Sequence, residues 1–358
     1  MKNNWLRNTI RSFEPYVVPE IREHTVINAN ESPYNIFDFP KVKADFLQRL
    51  EKTPSYHYPD PFAEELRGAL ADYAGCEKDE VLVGNGGDEI ISLIMNTFIN
   101  PGDLLLTHAP TFDIYGIDAS VLGAKIITVP DLPGYQRDQK GLLAKVKEVQ
   151  PKITVLCNPN NPTGELLPLS FVEELLQTAE NLVVIDEAYL EFADAPSIIT
   201  KLSQYPNLIV IRTLSKAFGL AGLRVGYGVA QKDIIQALSL TKLVYNMNVL
   251  SQIAALAALD YKDEILAHNL PPTIENRERL YQELKEVPGL TVYPSRTNFL
   301  LIHVPDGPKM VQALHEADIC VRSYSAADLK DCLRITITTQ DVVDRVAKVL
   351  KEEAAQDA

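Results

Sequence analysis

The sequence predicts an α/β fold, with a large domain whose mostly parallel sheet is covered by helices on both faces and a smaller α+β domain after it. Two observations carry this prediction. Short apolar runs alternate with helical or turn segments from Pro101 to Ile185, the rhythm of strands joined by crossover helices. Beyond Pro271 the composition shifts toward charge, and shorter strand and helix signals follow. A chain of 358 residues is long enough for one large domain plus a smaller one.

Residues 1–40 are rich in proline, asparagine and charge and read as an extended arm with one short helix; within it, Asn30-Glu31-Ser32-Pro33 is either a plain turn or a loop at the mouth of a site. Phe62, Leu66, Ala69, Leu70 and Tyr73 recur at helical spacing and stop at Gly75. The run Val81–Val83 enters a glycine turn, 84–88, and then a helix with Ile90, Ile91, Ile94 and Phe98 on one side. Strand signals follow at 104–107, 126–129, 153–157, 182–185 and 208–211, and Ser170 with Glu173 has the spacing of a capping box. From Val229 to Tyr261 the pattern is helical. A long helix is expected over Ile274–Lys285, then strands at 291–294 and 297–304, a helix near Met310–Ala317, strands in ICVR and CLRITIT, and a last helix carrying Val342, Val343, Val346, Val349 and Leu350.

A net charge of −14 argues against non-specific nucleic-acid binding, which needs basic surface to displace counterions. Cys76, Cys157, Cys320 and Cys332 form no C-x-x-C pair, so neither a disulfide framework nor a zinc site is indicated, and the six histidines show no metal spacing. No apolar stretch approaches bilayer length and no signal-peptide core precedes the fold, so a cytoplasmic enzyme without membrane or nucleic-acid partners is expected.

In open α/β sheets ligands bind beyond the carboxyl ends of the strands. Those positions hold Asn158-Pro159-Asn160-Asn161-Pro162-Thr163-Gly164, Asp186-Glu187-Ala188-Tyr189 and Thr213-Leu214-Ser215-Lys216. An acid, an amide, a phenol and a lysine thus converge on one rim, provided the strands are neighbours. Together with a phosphate cup they meet the needs of pyridoxal phosphate. Asp186 is placed to keep the pyridine nitrogen protonated, Asn161 and Tyr189 to donate to the ring's phenolic oxygen, and Lys216 to serve as imine-forming nucleophile and proton shuttle. Backbone N–H groups at Gly87 and Asp88, the hydroxyls of Thr213 and Ser215, and Arg224 would hold the phosphate, with Phe112 stacking on the ring.

The ordered set NANESP, GNGGDE, PTFDIY, NPNNPTG, DEAYLEF, RTLSKAFGLAGLRVG and CLRIT resembles fold-type I aminotransferases, and within them the histidinol-phosphate aminotransferase branch, over nearly the whole chain. The resemblance implies a small domain built from both chain ends (1–40 and 266–358) closing over a large cofactor domain (41–265). It also implies a homodimer in which Tyr58 reaches the partner's cofactor phosphate, and transfer of an amino group from L-histidinol phosphate to 2-oxoglutarate. Substrate contacts carried over are Tyr16, Asn30, Arg322 and Arg334, two guanidiniums being suited to a phosphate or to glutamate's carboxylates.

Two positions depart from the family pattern: Thr338 replaces a usual glycine, and Phe112 stands where tyrosine is frequent. Competing readings on the same scaffold are an aromatic aminotransferase and a threonine-phosphate decarboxylase-like enzyme. A non-enzymatic ligand-binding module is disfavoured because no helix-turn-helix precedes the fold in this acidic chain.

Overall fold

The computed structural model describes residues 5–11, 13 and 23–356. Strand β1 (Thr25–Val26) precedes helices α1 (Pro40–Glu51) and α2 (Glu64–Ala74). Strands and helices then alternate through β2 (Val81–Asn85), α3 (Gly87–Phe98), β3 (Leu104–Ala109), α4 (Ile114–Val121), β4 (Lys125–Pro130), α5 (Gln139–Val149), β5 (Ile153–Cys157), α6 (Leu169–Thr178), β6 (Leu182–Asp186), β7 (Leu208–Thr213) and β8 (Val225–Ala230). Helices α7 (Lys232–Ser239), α8 (Val249–Asp260) and α9 (Lys262–Leu284) lead to β9 (Thr291–Val292), β10 (Phe299–His303), α10 (Gly307–Glu316), β11 (Ile319–Cys320), β12 (Arg322–Ser323), β13 (Cys332–Thr336) and α11 (Gln340–Gln356).

Seven strands form one sheet in the order β2-β8-β7-β6-β5-β3-β4. Strands β3 to β7 run parallel and β8 runs against both its neighbours. Every residue of β5 and β7 is buried, as a strand covered on both faces requires. A second sheet, β12-β13-β10-β9, is antiparallel, and β1 pairs with β11 beside it. Its core includes Leu300, Ile302, Leu333, Ile335, Val346 and, from the other chain end, Ile27. This is the large mostly parallel sheet plus smaller α+β unit that the sequence predicts.

Three local expectations are corrected. The helical pattern expected from Val229 starts later, at Lys232, because Val229 and Ala230 close the fully buried strand β8, which the sequence pattern does not predict. Its glycines hide the pattern, and Gly226 is required because a Cβ there would overlap the backbone of Gly86 and Gly87. The helix expected from Ile274 starts at Lys262 and runs through Pro271 and Pro272. An interior proline costs roughly 3 kcal/mol, and burial at both ends outweighs it: Ile265 packs in the larger core, Leu280 and Leu284 in the smaller one. Helix α9 therefore passes unbroken through residues 265–266. Finally, α6 begins at Leu169 with Pro168 at its N-cap, which leaves Ser170 inside the first turn and unable to cap it.

Candidate active site

Strand β7 delivers the lysine loop. Thr213 Oγ1 accepts the Ser215 N–H (3.1 Å) and donates to the Val225 carbonyl (3.1 Å), folding the chain back toward β8. From behind, the buried Asn269 of α9 donates to the Ala217 carbonyl (2.9 Å). Lys216 Nζ donates to the Ala29 carbonyl (2.8 Å) and lies 5.8 Å from the centre of the Tyr189 ring. Burial, reinforced by the Arg334 charge, pushes its pKa down to about 8. That is a lysine conditioned as a nucleophile and proton carrier.

The anion cup is set by strand register. Thr213 pairs with Gly226, and Gly226 pairs with Gly84, so three strands place the Thr213-Ser215 hydroxyls beside the chain that enters α3. Gly86 turns that chain at φ 88°, and the N–H groups of Gly87 and Asp88 open the helix, where the first turn has no intrahelical acceptors. Arg224, itself left-handed at φ 51°, donates to Asp88 Oδ2 at 2.7 Å. A Cβ on Gly86 would displace the movable end of Arg224, and the left-handed φ of Gly86 itself favours glycine. Two backbone donors, two hydroxyls and a guanidinium fit a phosphate dianion.

Across the sheet, Asp186 ends β6 opposite Cys157 of β5 and Ile211 of β7, confirming that the three site strands are neighbours. It is 5% exposed. The Tyr115 hydroxyl donates to its Oδ2 (2.6 Å) and the Ala188 N–H to its Oδ1 (3.0 Å). Burial raises the carboxyl to about 6, while these two donors pull it back down. Phe112 packs edge-on against Tyr115, with ring centres 5.6 Å apart. Asn160 fixes the neighbouring loop by accepting from Thr111 (2.8 Å) and donating to the Pro110 carbonyl (3.0 Å).

Residues 28–30 form a strap joining the two units. The Asn28 carbonyl accepts from Arg334 (2.6 Å), the Ala29 carbonyl from Lys216, and Asn30 Nδ2 donates to the Tyr189 hydroxyl (3.0 Å). Asn30 is itself buried in the left-handed region (φ 55°), with its N–H on Thr336 Oγ1 (3.0 Å) and its carbonyl on Asn298 (3.1 Å). Arg334 also donates to Asn161 Oδ1 (2.7 Å) and pairs directly across the strands with Arg322.

Asp186, Asn161, Tyr189, Lys216, Asn30 and Arg334 are thus brought together, with Gly87, Asp88, Thr213, Ser215 and Arg224 forming the adjoining cup. Tyr58 stands apart, 79% exposed and stacked on Tyr245 at 4.4 Å. Tyr16 lies outside the described residues. Thr338 faces α9, its carbonyl accepting from Asn276 (3.0 Å). Sequence reasoning missed Tyr115, although it follows Phe112 at a three-residue spacing. It also missed the carbonyls of Asn28 and Ala29, which no side-chain motif can announce.

Comparison with known proteins agrees with this geometry. The family model for aminotransferase class I and II matches residues 24–350. The chain is 41% identical over 354 residues to a histidinol-phosphate aminotransferase of Thermoanaerobacter sp. (strain X514), covering 98% of this chain and 99% of that one. It is 38% identical to the protein of the same name from Ruminiclostridium cellulolyticum, covering 94% of each. A crystal structure of histidinol-phosphate aminotransferase from Sinorhizobium meliloti in complex with pyridoxal-5'-phosphate superposes with a TM-score of 0.88 at 28% identity, covering 99% of this chain and 98% of that one. With a lysine, a buried acid and an anion cup set on adjoining strands and the family match running through all of them, the chain belongs to the class I and II aminotransferases.

Proposed function

We propose that this enzyme transfers the amino group of L-histidinol phosphate to 2-oxoglutarate, giving imidazole-acetol phosphate and L-glutamate, with pyridoxal 5'-phosphate as cofactor. The observation that carries the substrate is the direct cross-strand pairing of Arg322 with Arg334. Two guanidiniums side by side suit a phosphate dianion, and the same pair takes glutamate's distal carboxylate in the second half-reaction. The name shared by the relatives points the same way.

In this reading the cup of Gly87, Asp88, Thr213, Ser215 and Arg224 holds the cofactor phosphate. Asp186 faces the pyridine nitrogen, Asn161 and Tyr189 the phenolic oxygen, and Phe112 a ring face. When bound, pyridoxal phosphate supplies an electron sink that makes the substrate Cα–H acidic. Lys216 Nζ carries that proton. With a pKa of about 8 it is present in both protonation states near neutral pH, as a shuttle must be. Arg334 and Asn30 orient the substrate over Lys216.

The exposed side chains of Tyr58, Phe62, Leu243, Val244 and Tyr245 support a homodimer, because the two segments that carry them pack together into one apolar surface. Tyr58 would reach the partner's cofactor phosphate from that surface. The two cores support a large unit and a smaller one, which we place over 41–265 and over 1–40 with 266–358; the smaller core joins Ile27 to residues from Leu280 onward, while Ile36 and Phe299 pack in the larger one. We place the enzyme in the cytoplasm; among the described residues no helix is long and apolar enough to cross a membrane.

The test is a single-turnover half-reaction with L-histidinol phosphate, phenylalanine, tyrosine and threonine phosphate. Histidinol phosphate is expected to react fastest, and Arg322→Ala to weaken it at least about 10-fold while changing phenylalanine little, the loss of a charge-assisted contact being worth roughly 1.5–3 kcal/mol. Equal losses for both donors would remove Arg322 from the phosphate site. Tyr115→Phe tests the carboxylate below the ring. The hydroxyl lowers the Asp186 pKa, so its loss raises it, and the acidic limb of the pH profile is expected to move up by about one unit.

A further inference from the structure

The arginine pair contains an electrostatic problem. Arg322 and Arg334 are direct partners in an antiparallel ladder, where like charges repel. Arg334 has two oxygen acceptors, at Asn161 and Asn28. Arg322 has an aromatic face, its guanidinium carbon lying 5.7 Å from the centre of the Tyr324 ring. Tyr324 follows Arg322 by two residues, so it extends from the same side of the chain. Its ring packs with the small cluster of Leu301, Leu329 and Cys332, which anchors it.

A cation over a ring needs no hydroxyl; phenylalanine would do the same work. Yet the Tyr324 hydroxyl is present, shielded from solvent, and without a hydrogen-bond partner among the described residues. A buried hydroxyl left unpaired is costly and points to a partner that arrives later. The charges that act on this phenol are those of Arg334 and Arg322, with Asp113, the neighbour of Phe112, opposing them. The Nε of Arg334 is likewise buried and unpaired. Two orphan donors therefore lie at the same pair of guanidiniums.

We propose that Tyr324 is a specificity-determining residue of this site: its ring holds Arg322 in place, and its hydroxyl is a third donor to the phosphate seated between Arg322 and Arg334. The proposal rests on reading that pair as the seat for the amino donor's anionic end. It gives the site a device for preferring a phosphate over a carboxylate, since the tetrahedral group has an oxygen to spare for the third donor.

Two variants separate ring from hydroxyl. In the holoenzyme, Tyr324→Phe is expected to raise KM for L-histidinol phosphate about 10-fold with kcat unchanged, and to leave L-histidinol, which lacks the phosphate, unaffected. Tyr324→Leu, which also removes the ring beneath Arg322, is expected to raise KM further. Calorimetric titration of inorganic phosphate into the holoenzyme decides the hydroxyl's role without reference to any amino donor, and Tyr324→Phe is expected to weaken that binding by a similar factor. Unchanged phosphate affinity in Tyr324→Phe overturns the proposal, as does a wild type that binds no phosphate beyond its cofactor's. Equal losses for histidinol phosphate and histidinol also overturn it, because they mark a merely structural role. A wild type that binds phosphate but does not favour histidinol phosphate over histidinol defeats the substrate assignment alone.

Discussion

Replacing Lys216 with alanine is expected to lower turnover at least about 10⁴-fold, because on the reading proposed above it removes both the nucleophile that would hold the cofactor and the base that would move the Cα proton. Among the described residues, the direct contacts of Lys216 Nζ offer no ready replacement. Its neighbours are the Ala29 carbonyl, which cannot carry a proton at neutral pH, and the Tyr189 ring, whose phenol burial pushes upward and out of working range. Stopped-flow half-reactions supply the measurement, with the visible absorption of the bound cofactor as an independent readout. Wild type should be yellow, and the variant should lose the band that depends on the lysine. The variant should still fold, since the loop is held by backbone contacts from Thr213 and Asn269 that the side chain does not make. A Lys216→Ala protein within 100-fold of wild type would end the assignment.

Asp186→Asn is expected to lower kcat about 10³-fold with little change in fold or in cofactor phosphate binding. The substitution keeps shape and an acceptor for the Ala188 N–H, but it removes the buried negative charge that we place beneath the cofactor ring. With a pKa near 6, the carboxyl is mostly ionised at pH 7 and above and is lost as the pH falls through that value. Activity should therefore decline on the acid side, and the asparagine variant should lack that limb altogether. The measurement is the pH dependence of the half-reaction rate. An unchanged profile would mean that another group sets it.

The sequence made much of this site readable because the chemistry sits on motifs at strand ends. Asp186, Asn161 and Lys216 each follow an apolar run, and the rule that ligands bind beyond the carboxyl ends of parallel strands unites them once those strands are neighbours. What could not be read depends on tertiary contact. Strand β8 is masked by its glycines, of which Gly226 serves close approach to Gly86 and Gly87 rather than strand propensity. Helix α9 crosses two prolines because each of its ends is buried in a different core, which local propensity does not see. The strap at 28–30 works mostly through main-chain carbonyls, and a carbonyl has no letter in the sequence. Tyr115 was within reach, since it follows Phe112 by three residues in the first turn of the next helix and packs against it.

The pairing of β2 with β8 carries a consequence for how the chain is made. Val81 is bonded to Val229, so the edge that supports the glycine turn waits for most of the large sheet to be synthesised before it is closed. Contacts this distant in sequence carry a large loop-closure entropy and form slowly. The cup therefore comes into being late, when Gly226 docks against Gly86, and a nascent chain ending before Arg224 has the glycine turn but neither that arginine nor the strand β8 that follows it. If the cup holds the cofactor phosphate, as we propose, its capture is tied to completion of the sheet, and tight phosphate binding marks a closed large sheet.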